Sequence, residues 1–340
     1  MEDSKGKAQK QSPLAVDGLQ LGRDRTWLGS GVGEDRADLW RRAFNATVVS
    51  VCASLSKAIT NLEYITIYHG ERMEEYMYKR PAGQGLITVF NHISEVDDPG
   101  ALAPLVSWKS LWEYDSIRWT FVAKDILFES KLWATLFTGL KALPVERGGS
   151  VDQHYLQEGV DKLNKGQWVS LFPEGRLCLP HETCPLPFRL GLARLASSPL
   201  LTPLIVPIYH EGLREVKTPE QLVPRFFKEM HIIVGKPVDI SDLLQETKYK
   251  NIHTNEQPTT EEERQQRLEL FSKICKRVHS AMVGLKQELH ELRQQERTKA
   301  RLSQWRALLG QTNNKPSDDF SASSSSLSFA RNNEKETSAF

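Results

Sequence analysis

LITVFNHISEVDDP, residues 86–99, is the stretch from which the fold can be read. Leu86 to Phe90 is a short apolar run rich in β-branched residues, which predicts a strand. The run stops abruptly at Asn91-His92. Asp97, Asp98 and Pro99 then follow. Asp98-Pro99 predicts a helix start, with Asp98 as N-cap and Pro99 at the first helical position. A simple core strand has no need of a histidine and an acidic pair at its end.

The same alternation extends outward from this stretch. YITIYHG, RWTFVAK, KALPVER, WVSLFPEG, LTPLIVPIYHEG and EMHIIVGKPVDI read as strands. DILFESKLWATLFTGL, HYLQEGVDKLNKG and FRLGLARLASS read as helices. Strands alternating with helices predict an α/β fold, with a mixed, partly parallel central sheet flanked by helices. Before the sheet, Trp40, Phe44, Val48, Val51, Leu55, Ile59 and Leu62 recur at helical spacing and share one face. After it, residues 261–309 read as one additional long helix. Phe271, Cys275, Val278, Met282, Leu285, Leu289 and Leu292 form a heptad seam there. Packing of that seam on its own domain is the first expectation. A homo-oligomer zipped through residues 271–292 is the second. The expected organisation is a disordered segment at 1–36, a domain at 37–250 with an N-terminal amphipathic helix, a helical region at 261–309, and a disordered Ser-rich tail at 310–340.

Composition narrows the function classes. A formal net charge of +1 over 340 residues gives no global reason to expect a nucleic-acid partner. Cys52, Cys178, Cys184 and Cys275 are too few and scattered for a disulfide framework, so reduced thiols are expected. Cys178, His181 and Cys184 invite a zinc reading, but structural zinc sites want four ligands, so no metal is expected. The N-terminus has no apolar core of a secretory signal. No run of about 18 uncharged apolar residues is present, so a plain transmembrane helix is not expected.

His92 sits where a strand ends, the place where α/β sheets bind ligands. Asp97, five residues on, can hold one ring nitrogen and stabilise the imidazolium, leaving the other nitrogen to take a proton. Alone, this pair is weak and reads first as a loop histidine beside a capping aspartate. Three further strands end in polar turns: ALPVERGG at Arg147, VSLFPEGR at Phe172, Pro173, Glu174 and Gly175, and LIVPIYHEG around Pro207.

In this order the four blocks resemble the glycerolipid acyltransferase (PlsC-like) family, and within it the tafazzin branch. Asn91, His92, Ser94, Asp97, Asp98 and Pro99 match the first block of that branch. Pro144, Val145, Arg147 and Gly148 match the second, and Phe172, Pro173, Glu174 and Gly175 the third. Phe188, Arg189, Gly191, Arg194 and Leu195 match a stretch downstream, where Leu190 replaces the family's Trp.

The resemblance implies an acyltransferase with His92 as general base and Asp97 as its orienter, working without cofactor, metal or covalent acyl-enzyme. Arg147 would grip a phosphate. Phe172, Pro173, Glu174 and Gly175 would shape the acceptor pocket, with Asn91 and Ser94 in support. It further implies CoA-independent transfer between a phospholipid and a lysophospholipid, remodelling cardiolipin through monolysocardiolipin with phosphatidylcholine as a partner lipid, at a mitochondrial membrane facing the intermembrane space. An acyl-CoA-dependent acyltransferase and a non-catalytic lipid-binding scaffold are the alternatives.

Membrane contact is expected from residues 125–143. Phe128, Leu132, Trp133, Leu136, Phe137 and Leu140 share a broad apolar face opposite lysines, which suits lying in the interface rather than crossing it. A soluble core helix would show the same pattern.

Overall fold

The alternating strands resolve into one sheet. The computed structural model describes residues 36–124, 135, 137–217, 225–246 and 258–312. Its strands are β1 (Tyr64–Tyr68), β2 (Leu86–Phe90), β3 (Trp119–Ala123), β4 (Ala142–Val145), β5 (Trp168–Leu171), β6 (Leu204–Glu211) and β7 (Glu229–Val234). They form a 7-stranded sheet in the order β1-β7-β6-β2-β5-β3-β4. Every pairing is parallel except that of β6 with β7. The sheet is therefore mixed and mostly parallel, as expected. The helices are α1 (Arg36–Thr60), α2 (Glu71–Tyr78), α3 (Asp97–Gly100), α4 (His154–Asn164), α5 (Gly191–Ser197), α6 (Leu213–Val216), α7 (Ser241–Gln245) and α8 (Glu261–Thr312).

β2 is central and buried at every residue, which is why it shows no polar alternation. Its odd residues, Ile87 and Val89, join Val169, Ile205 and Tyr209 against α4, α5, α7 and α8. Leu86 and Phe90 point the other way, with Val206 and Ile208, against α2 and α6 and the segment after α3. Each fully buried Leu or Ile in these two layers is worth roughly 1.5–3 kcal/mol.

The heptad residues Phe271, Cys275, Val278, Met282, Leu285 and Leu289 are all buried in the first of these layers, with Leu292 packed against it. The seam is filled by the protein's own sheet. A dimer zipped through 271–292 has no free apolar face to use, and that expectation is corrected.

α1 departs from the usual amphipathic arrangement. Its Trp40, Phe44, Val51, Leu55 and Ile59 face outward, Trp40 with 74% exposure. The side turned to the domain carries Ala46, Val49, Ser50, Lys57 and Thr60. Lys57 holds it there, donating from Nζ to the carbonyls of Ala103 (3.0 Å) and Val106 (2.7 Å). Burial pulls the Lys57 pKa below its ordinary value. Residues Leu39–Thr60 are long and apolar enough to cross a membrane by length and composition, a property shared with core helices. Arg41, Arg42 and Lys57 interrupt this stretch, so it is not an uncharged apolar run. Phe128, Leu132, Trp133 and Leu136 lie outside the described residues. Phe137 and Leu140 are half-buried.

Candidate active site

β2 and β6 run side by side and deliver the chemistry at their shared C-terminal end. One residue past β2, the Asn91 side chain takes over the ladder. Its Oδ1 accepts the His210 N–H at 2.9 Å, and its Nδ2 donates to the His210 carbonyl at 3.0 Å. The chain direction at His92 is thereby set by a buried amide.

His92 Nδ1 and Asp97 Oδ2 are 2.9 Å apart. The same carboxylate oxygen accepts the backbone N–H of Ile93 (2.6 Å) and of Ser94 (2.9 Å). Asp97 closes the turn it sits in and grips the imidazole with one oxygen. Its side chain is fully buried while that of His92 keeps 25% exposure. A carboxylate at Nδ1 favours the tautomer that carries its proton there and leaves the Nε2 lone pair free. The Phe172 ring packs tilted against the imidazole, centroids 4.5 Å apart and planes 31° apart.

Asp98 is corrected as a helix cap. Its φ/ψ of −111° and 112° are not helical, and Val96 occupies the N-cap position of α3. Its carboxylate instead forms an ion pair with Arg118 beside β3. Ser94 is buried and donates from Oγ to the Lys217 carbonyl at 2.9 Å, which supports the loop. Glu95 is exposed and pairs with Lys217.

Glu174 is a clamp. Oε1 accepts the His92 backbone N–H and Oε2 the Leu186 N–H, each at 3.0 Å. One carboxylate thus ties the catalytic turn to the loop after β5. Burial pushes its pKa up to about 7, against the opposing pull of the Leu186 and His92 amides. Pro173 supplies the carbonyl that accepts the Arg189 N–H at 2.7 Å. Gly175 closes the turn at φ +70°, where the Arg189 side chain would lie 3.2 Å from an added Cβ. Arg147 follows β4 and is exposed. β4 stands three strands from β2, so Arg147 borders the same sheet edge about 14 Å away.

Two features escaped the sequence reading. The first is His210, the penultimate residue of β6 and wholly buried. Its Nε2 lies 3.0 Å from the Asn91 carbonyl and 3.9 Å from Asp97 Oδ1. Burial lowers its pKa, so the ring stays neutral beside the dyad. The signal was a polar residue at the end of an apolar run, the same feature that marked His92. The second is the loop after Gly175. Cys178 and Cys184 are joined by a disulfide, which corrects the expectation of reduced thiols and removes the two sulfurs that a zinc reading needs. That loop is fastened to the site: the Cys178 N–H donates to the His92 carbonyl at 2.7 Å. Arg176 reaches both oxygens of Glu182. Among the described residues no group of three His, Cys, Asp or Glu side chains is arranged to hold a metal ion.

Residues 67–211, which contain the whole dyad region, match the family model described as Acyltransferase. An Arabidopsis thaliana N-acylphosphatidylethanolamine synthase is 31% identical over 57% of this chain and 70% of its own length. The Drosophila melanogaster Tafazzin is 33% identical over 60% of this chain and 54% of its own. The Saccharomyces cerevisiae Tafazzin is 27% identical over 60% and 65%. The chain belongs to the acyltransferase family and is similar to tafazzins within it.

The match covers just over half the length of the fly relative. β2, β5 and β6 each contribute one part at one sheet edge: the His92–Asp97 pair, Phe172 with Glu174, and His210.

Proposed function

We propose that this acyltransferase moves an acyl chain directly from a phospholipid to a lysophospholipid without CoA, and that it remodels cardiolipin through monolysocardiolipin. The observation that carries the reading is the His92–Asp97 pair, with Nδ1 held at 2.9 Å and Nε2 left for the acceptor. Nε2 removes the proton from the lysolipid hydroxyl as its oxygen attacks the donor's ester carbonyl. Asp97 stabilises the imidazolium formed. The tetrahedral intermediate then expels the donor's glycerol oxygen, which takes the proton back from Nε2. One ester is broken and one formed, so the exchange runs on nearly balanced free energy and needs no activated donor. Arg147, exposed beyond the end of β4, would grip a phosphate of one of the two lipids, and Phe172 would line the pocket beside His92. The outward apolar face of α1 supports contact with a lipid interface, alongside residues 125–143. The site of action is a mitochondrial membrane, and the Cys178–Cys184 disulfide fits an oxidising face of it.

Purified protein, given labelled phosphatidylcholine and monolysocardiolipin with no CoA, is expected to form labelled cardiolipin. His92→Ala is expected to abolish it with the fold retained. Transfer that occurs only when acyl-CoA is supplied overturns the transacylase reading. Unchanged transfer by His92→Ala overturns the catalytic one.

A second reading is favoured by the Arabidopsis relative, which the chain covers over 70% of its length. In it the acceptor is the amine of phosphatidylethanolamine, and Nε2 removes the proton from the attacking nitrogen. Mass spectrometry of the same reaction with phosphatidylethanolamine as sole acceptor distinguishes an N-acyl from an O-acyl product.

A further inference from the structure

The end of α8 leaves the body of the protein. Arg293 Nη1 donates to Glu211 Oε2 at 2.6 Å, and the Tyr68 hydroxyl on edge strand β1 donates to Glu296 Oε2 at 2.6 Å. Beyond Glu296 the helix continues to Thr312, and every side chain from Arg297 to Arg306 is exposed. Trp305 and Leu302 keep 65% and 53% of their surface. Burial elsewhere in α8 makes this contrast informative, because the same helix has its seam filled up to Leu289.

The sequence of this overhang is ordered around the helix. At about 100° per residue, Leu302 and Trp305 fall together on one stripe. Arg297 and Arg301 border that stripe on one side, Lys299 and Arg306 on the other. Glu296 points away from it, toward Tyr68. Among the described residues no carboxylate lies within ion-pair distance of these four cations. The net charge over 294–306 is +3, four cations less one carboxylate.

We propose that the α8 overhang, residues 297–306, is a docking surface for the anionic headgroup layer of a phospholipid bilayer. Leu302 and Trp305 enter the headgroup–acyl boundary, and the flanking arginines and lysine reach up to lipid phosphates. A Trp/Leu centre edged on both sides by cations is the pattern of an interfacial helix. A second copy of the helix would bring like charges together along both edges of a two-residue apolar stripe. A nucleic acid has no use for that stripe. The inference rests on the reading that the enzyme works at a bilayer and adds a preference for anionic surfaces, held by an element remote in sequence from His92.

The test uses the full chain and vesicles of phosphatidylcholine with and without phosphatidylserine. Wild type is expected to bind the phosphatidylserine vesicles more tightly, and less so as salt rises. Arg297→Gln with Arg301→Gln is expected to weaken that binding roughly 25-fold, about fivefold per cation near the surface. Trp305→Ala is expected to weaken binding to both kinds of vesicle. Acyl transfer in uncharged detergent micelles is expected to stay at the wild-type level in each variant. Wild-type binding by the double variant overturns the assignment. So does unchanged vesicle binding together with a change in oligomeric state on sedimentation, which would give the stripe to a second copy. Absence of acyl transfer by wild type in micelles, with the vesicle effects intact, would count against the catalytic reading and leave the docking surface standing.

Discussion

Asp97→Asn is the sharpest perturbation of the site, because it removes a charge while keeping the shape. Asp97 Oδ2 accepts three hydrogen bonds, from His92 Nδ1, Ile93 N and Ser94 N. An asparagine with its oxygen in that position still accepts all three. The amide nitrogen then takes the place of Oδ1, which has no hydrogen-bond partner in the wild type. The turn is therefore expected to survive, with a change in Tm of a few degrees at most. On the proposed mechanism the catalytic consequence is large, because His92 takes up the acceptor's proton on the way to the tetrahedral intermediate. Unit charges about 4 Å apart at an effective dielectric of about 20 interact by roughly 4 kcal/mol. That attraction exists in the transition state and not in the ground state, so its loss falls on the rate. The expected result is a drop in kcat of roughly a thousandfold, with KM for the lysolipid nearly unchanged. The assay is transfer of labelled acyl chains between lipids in mixed micelles, with circular dichroism to confirm the fold. A variant that retains more than a tenth of wild-type kcat refutes the charge-stabilised base. So does a raised KM at unchanged kcat.

The neighbouring groups give further outcomes. His210→Ala removes the ring that bonds the Asn91 carbonyl and faces Asp97 Oδ1; kcat is expected to fall about tenfold, on the loss of one buried hydrogen bond, with KM kept, and equal losses in kcat and KM would show that the ring only holds the fold. Glu174→Gln places an amide NH2 against one of two backbone N–H groups, and a pH dependence follows. The folded Glu174 pKa of about 7 lies above its ordinary 4.5, so its protonated form contributes stability that is full below about 4.5 and lost as pH rises through 7. Urea unfolding is expected to show the wild-type advantage over Glu174→Gln shrinking between pH 5 and pH 8; a difference that does not vary with pH refutes the assignment. Reduction of Cys178–Cys184, which closes a span of 6 residues, is expected to cost about 2 kcal/mol by the loop-entropy rule and to lower activity, since the loop it closes bonds the His92 carbonyl. Equal activity and Tm before and after reduction would refute that coupling.

How much of this was legible beforehand follows the range of the interactions involved. The strands were legible because burial on both faces writes itself into consecutive apolar residues, as in Leu86–Phe90. Their partly parallel pairing followed from the helices between them. His92 and Asp97 were legible because the turn that joins them is local: five residues suffice to bring a carboxylate back to a ring nitrogen. The blocks at Arg147 and Phe172–Gly175 were legible as strand ends. Their separate roles were not, since Glu174 reads as a substrate contact until Leu186 and the His92 amide occupy both of its oxygens.

What the tertiary structure alone decided has one physical cause, contact between residues far apart in the chain. His210 comes to Asp97 only because β6 pairs with β2. Asp98 was expected to cap its own helix and instead meets Arg118, brought there by β3. The heptad seam of α8 has the same periodicity whether its partner is a second copy or a sheet, and only packing chose the sheet. The apolar stripe of α1 has the periodicity of a core helix, and only Lys57, anchored to the carbonyls at 103 and 106, turned that stripe outward. Burial pattern and short-range geometry write the elements and the His92–Asp97 turn into the sequence. Which face met which neighbour, and hence which polar groups support the base, depended on distances that periodicity does not carry.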